Sequence, residues 1–304
     1  LGGVLSPEET KQSAVGPMPC HNPIPAYRSR ISNTSGKRSL VFTKHEGYED
    51  LEILIPCGQC MGCRLDRSLE WATRISHESS LHSKSSFLTL TYAPTKIPPH
   101  ASLRKKDVQD FMKRLRFFSE NPLRYYLCGE YGTESQRPHY HICLFGEDFS
   151  SDRVPWKPSS SGHMLFTSQS LTDRWGFGHC VIGDLTFETA AYTARYVTKK
   201  ITGASAPSHY GLREPEFSLM SRRPGIGHTW LEKNLVDLNN GLCWSSNGLT
   251  KMPKFYQKKI NQTKLLKTKY KQKKEASKRL KQTNPYTLDA VQKAKFNLKN
   301  KKDI

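Results

Sequence analysis

From Arg64 to about Leu81, the positions Leu65, Leu69, Trp71, Ala72 and Ile75 recur at helical spacing and predict an amphipathic helix. Phe87–Ala93 (FLTLTYA) alternates as a strand does, and Pro94 and the Pro98–Pro99 pair stop it. Ser102 is placed to cap a second helix over about Leu103–Ser119, with Val108, Phe111, Met112, Leu115 and Phe118 on one face and basic residues on the other. Arg124–Tyr131 (RYYLCGEY) and His139–Phe145 (HYHICLF) read as two strands joined by the polar hairpin loop Gly132–Pro138. A short helix ends at Leu171–Trp175, a strand covers Cys180–Leu185, and Thr186 caps a helix over Phe187–Ile201. A strand near Phe217–Met220, the turn Arg222–Gly227 and a helix from about Thr229 follow. This order predicts an α+β domain with an antiparallel sheet backed by helices.

The N-terminal third has a different texture. Residues 1–17 are polar, without periodicity, and read as a disordered extension. Residues 21–50 have loop-like composition, with a short strand at Leu40–Lys44 and an apolar run at Leu51–Ile55 leading into Cys57, Cys60 and Cys63. The expected division is 1–17 extension, 18–85 cysteine-cluster segment and helix, 86–250 main domain and 251–304 basic tail.

Charge sharpens this picture. The 304 residues carry a net charge of +20, and Lys251–Ile304 alone holds 18 Lys/Arg against Glu275, Asp289 and Asp303. A lysine-dominated tail suits a polyanion, nucleic acid first, although a solvated tail has the same composition. No apolar run approaches the roughly 18–20 residues of a membrane span, and no basic-then-apolar leader opens the chain. The cysteines are therefore expected as thiols of a reducing compartment, with Cys128, Cys143, Cys180 and Cys243 as small buried hydrophobes.

His139 and His141 share one face of their strand, with Cα atoms roughly 6.5–7 Å apart, so their imidazoles can converge on one metal ion. A loop centred between Glu134 and Ser135 sets Glu130 opposite His139 on the same face, completing a two-His, one-carboxylate site. A register slipped by one removes Glu130 and brings Glu134 into play. The alternative is a polar strand face bearing two exposed histidines.

On the helix from Phe187, a 100° wheel gathers Ala190, Ala191, Ala194, Val197 and Ile201 into a buried stripe. Tyr192, Tyr196 and Lys199 fall on the opposite, exposed face. A phenol has a pKa near 10, and a lysine or metal nearby favours the nucleophilic phenolate. A base-stacking platform is the competing use of two exposed tyrosines.

Cys57-x-x-Cys60-x-x-Cys63 supplies three corners of a tetrahedral Zn²⁺ site; Cys20 is the best fourth ligand, with His21 behind it. Reduced thiols without metal, or a redox-sensitive patch, are the alternatives. Arg222-Arg223-Pro-Gly-Ile-Gly227 can offer guanidinium and backbone N–H groups to a phosphate, or be an ordinary turn with solvated arginines. The helix bearing Lys105, Lys106, Lys113, Arg114 and Arg116 can flank DNA or simply face water.

Together the His-hydrophobic-His strand, the strand before it and the YxxxYxxK helix resemble the HUH endonucleases of rolling-circle replication. MPCHNP (Met18–Pro23), PCGQCMGCR (Pro56–Arg64), GEYG…RPHYHICLFG (Gly129–Gly146) and SRRPGIG (Ser221–Gly227) look like the replication initiators of gokushovirus-type microviruses, small single-stranded-DNA bacteriophages. The resemblance covers Met18 to about Trp230. It implies an HUH-type, ferredoxin- or RRM-like antiparallel sheet. It also implies Mg²⁺ or Mn²⁺ on His139, His141 and Glu130, with Tyr140 packing between the histidines. One of Tyr192 and Tyr196 would attack a scissile phosphate, form a 5′-phosphotyrosine and free a 3′-OH; the other would act in the later strand transfer that closes a circle. Lys199 would steady the charge, and Arg195, Lys200, Arg222 and Arg223 are the candidate DNA contacts. Implied partners are single-stranded or supercoiled phage origin DNA and the host helicase and polymerase, in the host cytoplasm and without a membrane. No G-x-x-x-x-G-K-[ST] loop is present, so unwinding is expected from elsewhere. The competing expectations are a non-enzymatic basic DNA-binding or packaging protein with a structural zinc, and a zinc-dependent regulator.

Overall fold

The computed structural model describes residues 20–34, 36–159, 161–196, 200–201, 203–238, 241–260, 290–291 and 293–294. The chain divides into two compact units, whose described parts are chiefly residues 20–66 and 67–260. Among the described residues no helix is long and apolar enough to cross a membrane.

The smaller unit is a three-stranded antiparallel sheet of β1 (Ile24–Ser32), β2 (Arg38–Val41) and β3 (Gly47–Ile55) in the order β2-β1-β3. Strand β1 corrects the reading of this stretch as mostly loop. Only Ala26 and Tyr27 of its nine residues are buried, so it lacks the alternation that betrays a strand. The helix expected from Arg64 begins three residues earlier, as α1 (Met61–Ser79).

The larger unit carries the remaining strands and helices, taken here in chain order. They are β4 (Ser85–Thr91), α2 (Lys105–Phe117), β5 (Arg124–Tyr131), β6 (Pro138–Phe145), β7 (Arg153–Pro158) and β8 (Met164–Ser168). There follow α3 (Gln169–Trp175), β9 (Cys180–Gly183), α4 (Phe187–Tyr196), α5 (Ala206–Tyr210) and β10 (Phe217–Met220). The last elements are α6 (His228–Lys233), β11 (Leu242–Ser245), β12 (Gly248–Lys251) and α7 (Lys254–Lys259). Seven strands form one antiparallel sheet in the order β10-β5-β6-β4-β9-β8-β7. The expected α+β class with a large antiparallel sheet is thus what folds. The hairpins β7–β8 and β11–β12 carry no clear sequence pattern, because much of their surface faces water.

Side-chain alternation gives the large sheet two faces. Leu88, Leu90, Leu127, Ile142 and Leu144 point to one, where Val108, Phe111, Met112 and Leu115 of α2 and Leu171 and Trp175 of α3 bury them. Each such fully buried side chain contributes roughly 1.5–3 kcal/mol. On the other face Tyr126, Cys143 and Phe145 pack with Ala72 and Ile75 of α1, Ala190 of α4 and Ile226. That second face also carries His139 and His141. A third cluster, Leu231, Leu238, Cys243, Met252 and Tyr256, ties α6, the β11–β12 hairpin and α7 together. The four isolated cysteines are buried as expected.

Two expectations about α2 need correction. Ser102 does not cap it: its hydroxyl accepts the Glu214 N–H (2.8 Å) and donates to the Leu103 carbonyl (3.1 Å). The helix starts only at Lys105, with Arg104 extended at the cap, and the Leu103 and Arg104 N–H groups donate to the hydroxyls of Tyr131 and Tyr140. Phe118 lies beyond the last turn and is exposed, edge-on to Phe117. Gly178 marks where β9 enters beside β4; a Cβ there would sit 2.3 Å from the Ala93 nitrogen.

Candidate metal and nucleophile site

The β5–β6 register sets Glu130 opposite His139 and Cys128 opposite His141, while β4 sets Thr89 opposite His141. The loop-centred pairing expected from sequence is the one that forms, and Glu134 plays no part. Glu130 Oε1 lies 2.6 Å from His139 Nε2 and 3.2 Å from His141 Nε2. Glu130 and His141 are buried and His139 is half-buried, so the cluster opens to solvent on the His139 side.

The far ring nitrogens explain why the near ones converge. His139 Nδ1 lies 3.1 Å from the Arg137 carbonyl, which can only accept. That nitrogen therefore holds its proton and leaves Nε2 with a lone pair in the neutral ring. His141 Nδ1 lies 3.0 Å from Thr89 Oγ1, which can take the same role. Two imidazole lone pairs and a carboxylate oxygen then share one small volume. That arrangement repels itself unless a cation, or a proton on one ring, sits between them. Burial alone would raise the Glu130 carboxyl, but its bonds to His139 and His141 outweigh burial and hold it below the usual carboxylate range. A carboxylate ionised at neutral pH with two imidazoles fits a divalent cation with coordination positions to spare.

The back of the hairpin is pinned just as closely. Tyr140, between the two histidines, is buried and its hydroxyl accepts the Arg104 N–H (2.9 Å) and donates to the Arg104 carbonyl (3.0 Å). Tyr131, next to Glu130, accepts the Leu103 N–H (3.0 Å) and donates to the Glu214 carbonyl (2.7 Å). Consecutive amides ahead of α2 thus hold both strands directly behind Glu130, His139 and His141. Sequence predicts the packing of Tyr140, but neither its hydrogen bonds nor the roles of Thr89 and Tyr131. The signal for Thr89 was available: it is a polar position of FLTLTYA, on the strand set beside the histidines.

Helix α4 brings Tyr192 to the same place. Thr186 caps the helix, its Oγ1 accepting the Thr189 N–H (3.2 Å) while Thr189 Oγ1 accepts the Thr186 N–H (2.9 Å). Ala190 and Ala194 are buried as the wheel requires, and Ser68 of α1 donates to the Ala191 carbonyl (3.0 Å). Tyr192 leaves the helix away from that stripe but is not openly exposed. It is half-buried, its ring 5.2 Å from that of His141 and 6.3 Å from Phe87. The correction follows from side-chain length: a tyrosine on a helix laid across this sheet face reaches back to the sheet. Arg195 sits 5.9 Å from the Tyr192 ring centroid.

Lys199 and the side chain of Tyr196 lie outside the described residues, as do residues 1–19 and nearly all of the tail. The helix expected through Ile201 is described to Tyr196, and Lys200 and Ile201 are not helical. The Ile201 N–H donates to the Tyr210 hydroxyl (2.9 Å) instead of to a carbonyl one turn back.

Arg222 and Arg223 are exposed, on a loop held from beneath by Arg74, Arg124 and Glu78. The Gly227 N–H donates to Glu78 Oε2 (2.6 Å), so the chain's own carboxylate takes the backbone position expected to hold a phosphate. The basic face of α2 is also partly engaged. Lys106 and Lys113 pair with Asp110, and Arg114 donates to the Arg174 and Trp175 carbonyls.

In the smaller unit, Cys20, Cys57, Cys60 and Cys63 come together, all four sulfurs within 4.8 Å of one another.

The family model described as replication-associated protein ORF2/G2P matches residues 85–201, which span Thr89, the Glu130–His139–His141 cluster and α4. The replication-associated protein ORF2 of Spiroplasma virus 4 is 33% identical over 219 residues, 68% of this chain and 67% of that protein. The chain belongs to this replication-associated protein family. Similar too are the replication-associated protein VP4 of Bdellovibrio phage phiMH2K (32% identical, 66% of each chain) and ORF4 of Chlamydia phage 1 (27%, 60% of this chain and 48% of that one). No solved structure matches the chain.

Proposed function

We propose that this chain is a phage replication initiator that nicks single-stranded origin DNA and later rejoins it, acting as a metal-dependent HUH endonuclease and strand-transferase. One observation carries the proposal. A buried carboxylate and two imidazoles converge on one volume, and the Tyr192 ring stands 5.2 Å from one of those imidazoles. Binding DNA by charge alone calls for none of this, so the non-enzymatic alternative leaves the arrangement unexplained.

His139, His141 and Glu130 would hold Mg²⁺ or Mn²⁺, and imidazole donors favour Mn²⁺. The ion's contribution, when bound, is to polarise the scissile phosphate as a Lewis acid. Tyr192 is the nucleophile in this proposal. Its phenol oxygen bonds to phosphorus, the bond from phosphorus to the upstream 3′ oxygen breaks, and that oxygen leaves as the 3′-OH that primes synthesis. Tyr196, one turn on, makes the second cut, and the 3′-OH released there displaces the first tyrosine to close a circle. Lys199 steadies phenolate or phosphate charge, and Arg195, Lys200, Arg222 and Arg223 contact the strand. The lysine-rich tail adds affinity without sequence choice. Host helicase and polymerase would supply unwinding and synthesis in the host cytoplasm.

The test is incubation of the full chain with single-stranded fragments of the phage genome and Mn²⁺, resolved on a denaturing gel. A covalent protein–DNA adduct is expected, lost in Tyr192→Phe and in His139→Ala/His141→Ala, while both variants still retard DNA. Undiminished cleavage by the double histidine variant at saturating Mn²⁺ would refute the metal site, and an undiminished adduct with Tyr192→Phe would refute that nucleophile.

A further inference from the structure

The proposed nicking chemistry assigns no role to the cysteine cluster, and the geometry of that cluster is specific. Cys20 Sγ lies 3.5 Å from Cys57 Sγ and 3.7 Å from Cys60 Sγ. A disulfide needs about 2.05 Å between sulfurs. Four thiolates at the usual Zn–S distance of about 2.3 Å form a tetrahedron with edges of about 3.8 Å. These two separations match that edge, and all four sulfurs lie within 4.8 Å of one another.

The backbone is arranged for thiolates as well. The Cys57 N–H points at Cys20 Sγ and the Cys60 N–H at Cys57 Sγ, both at 3.3 Å. Such N–H groups stabilise negative sulfur. Gly58 makes the turn between them with φ +77°, a conformation open to glycine at no steric cost. Cys63 then comes from the first turn of α1, so the knuckle and the helix supply three ligands and the chain before β1 supplies the fourth.

Among its described residues, the unit around this cluster has little else to fold on. Its buried hydrophobic residues between 20 and 66 are Cys20, Ala26, Tyr27, Cys63 and Leu65, two of them ligands. Ile24, Ile31, Leu40, Phe42, Leu51 and Leu54 are exposed. A unit this small with so thin a core falls in the class that depends on metals or disulfides.

We propose that Cys20, Cys57, Cys60 and Cys63 bind one Zn²⁺ as four thiolates, and that this ion rather than an apolar core holds the N-terminal unit folded. Binding releases the four thiol protons to solvent and changes no oxidation state. All four positions are filled by protein, so the site is closed and structural, whereas the Glu130–His139–His141 site keeps open positions for chemistry.

The experiment uses the full chain. Elemental analysis should find one zinc per chain, retained in His139→Ala/His141→Ala and lost in Cys60→Ser/Cys63→Ser. Replacing zinc with Co²⁺ should give the absorption of a tetrahedral thiolate site, readable in the unmutated protein even where the cysteine variant does not fold. Stripping zinc with a chelator should open residues 20–66 to limited proteolysis while residues 67–260 stay protected. Zinc-free protein with an intact N-terminal unit would overturn the proposal. So would a zinc that leaves with the histidines and stays without the cysteines.

Discussion

Thr89 makes one hydrogen bond to the proposed metal site, and removing it isolates how far the ring nitrogen away from a bound metal controls the nitrogen facing it. Thr89→Val keeps the shape of the side chain and its preference for strands, and deletes the oxygen 3.0 Å from His141 Nδ1. Without that acceptor the ring loses the contact that fixes its proton on Nδ1 and its lone pair on Nε2. Losing such a partner behind a ligand costs roughly 10–100-fold in metal affinity, about 1.4–2.7 kcal/mol. His141 keeps its stack on Phe87, 5.4 Å between centroids and 8° between planes, and its edge contact with Tyr192. The ring therefore stays near its place, and the loss should fall at the lower end, about tenfold. Folding stability should move by no more than about 0.5 kcal/mol, since the position is only half-buried. The assay is nicking rate against Mn²⁺ concentration, with Mn²⁺ binding measured directly by calorimetry. The half-saturating concentration should rise about tenfold while the rate at saturation stays close to that of the unmutated protein. Thr91→Val is the control: Thr91 faces His139 across the same strands, but its hydroxyl goes to the His179 carbonyl and not to a ligand ring. If Thr89→Val and Thr91→Val bind Mn²⁺ alike, Thr89 does not set the His141 tautomer.

Two further outcomes concern other buried polar contacts. Tyr140→Phe leaves the Arg104 N–H without its 2.9 Å acceptor behind the histidines, which should cost about 1–3 kcal/mol in urea unfolding and weaken Mn²⁺ binding in step. Loss of stability with unchanged Mn²⁺ affinity would show that the clamp serves the fold alone. His77 is buried against Trp230 and between the Tyr256 hydroxyl and the Trp244 carbonyl, and burial pushes its pKa down from 6.5 to about 4. The unfolded chain then binds this proton first as pH falls, so stability is full above pH 6.5 and drains between there and pH 4, by about 2 kcal/mol at pH 5. Urea unfolding followed by tryptophan fluorescence at pH 7 and pH 5 should show that drop, and His77→Gln should flatten it; equal slopes in both proteins would remove His77 as its source.

The local periodicities were enough to fix the elements that carry the chemistry. The alternation of FLTLTYA and the apolar runs RYYLCGEY and HYHICLF mark three strands of the central sheet: β4 alternates buried and half-buried positions, while β5 and β6 are buried on both faces, against α2 on one and α1 and α4 on the other. Spacing within a strand put His139 and His141 on one side, and the length of the polar loop set Glu130 opposite, since a hairpin's register follows from its turn. The spacing of Cys57, Cys60 and Cys63 brings three thiols together, since a tight turn and one helical turn fix their separations. Strands with one or two buried positions or none leave no such trace: β1 buries only the adjacent Ala26 and Tyr27, the β11–β12 hairpin only Cys243 and Thr250, and β7 no residue at all.

Tertiary structure decided the rest. Which amides anchor Tyr131 and Tyr140, and which hydroxyl orients His141, depend on segments 28–52 residues apart meeting at one point. The helix wheel placed Tyr192 away from its own buried stripe, but only the packing of α4 across the sheet shows that its ring reaches His141. The turn at Arg222–Gly227 looked open to a phosphate until Glu78, 149 residues away in sequence, took the glycine amide. Sequence determines which residues share a face, because strand and helix periods are local; which faces meet is a property of packing, because one contact between distant segments can supply or consume a partner that no local pattern records.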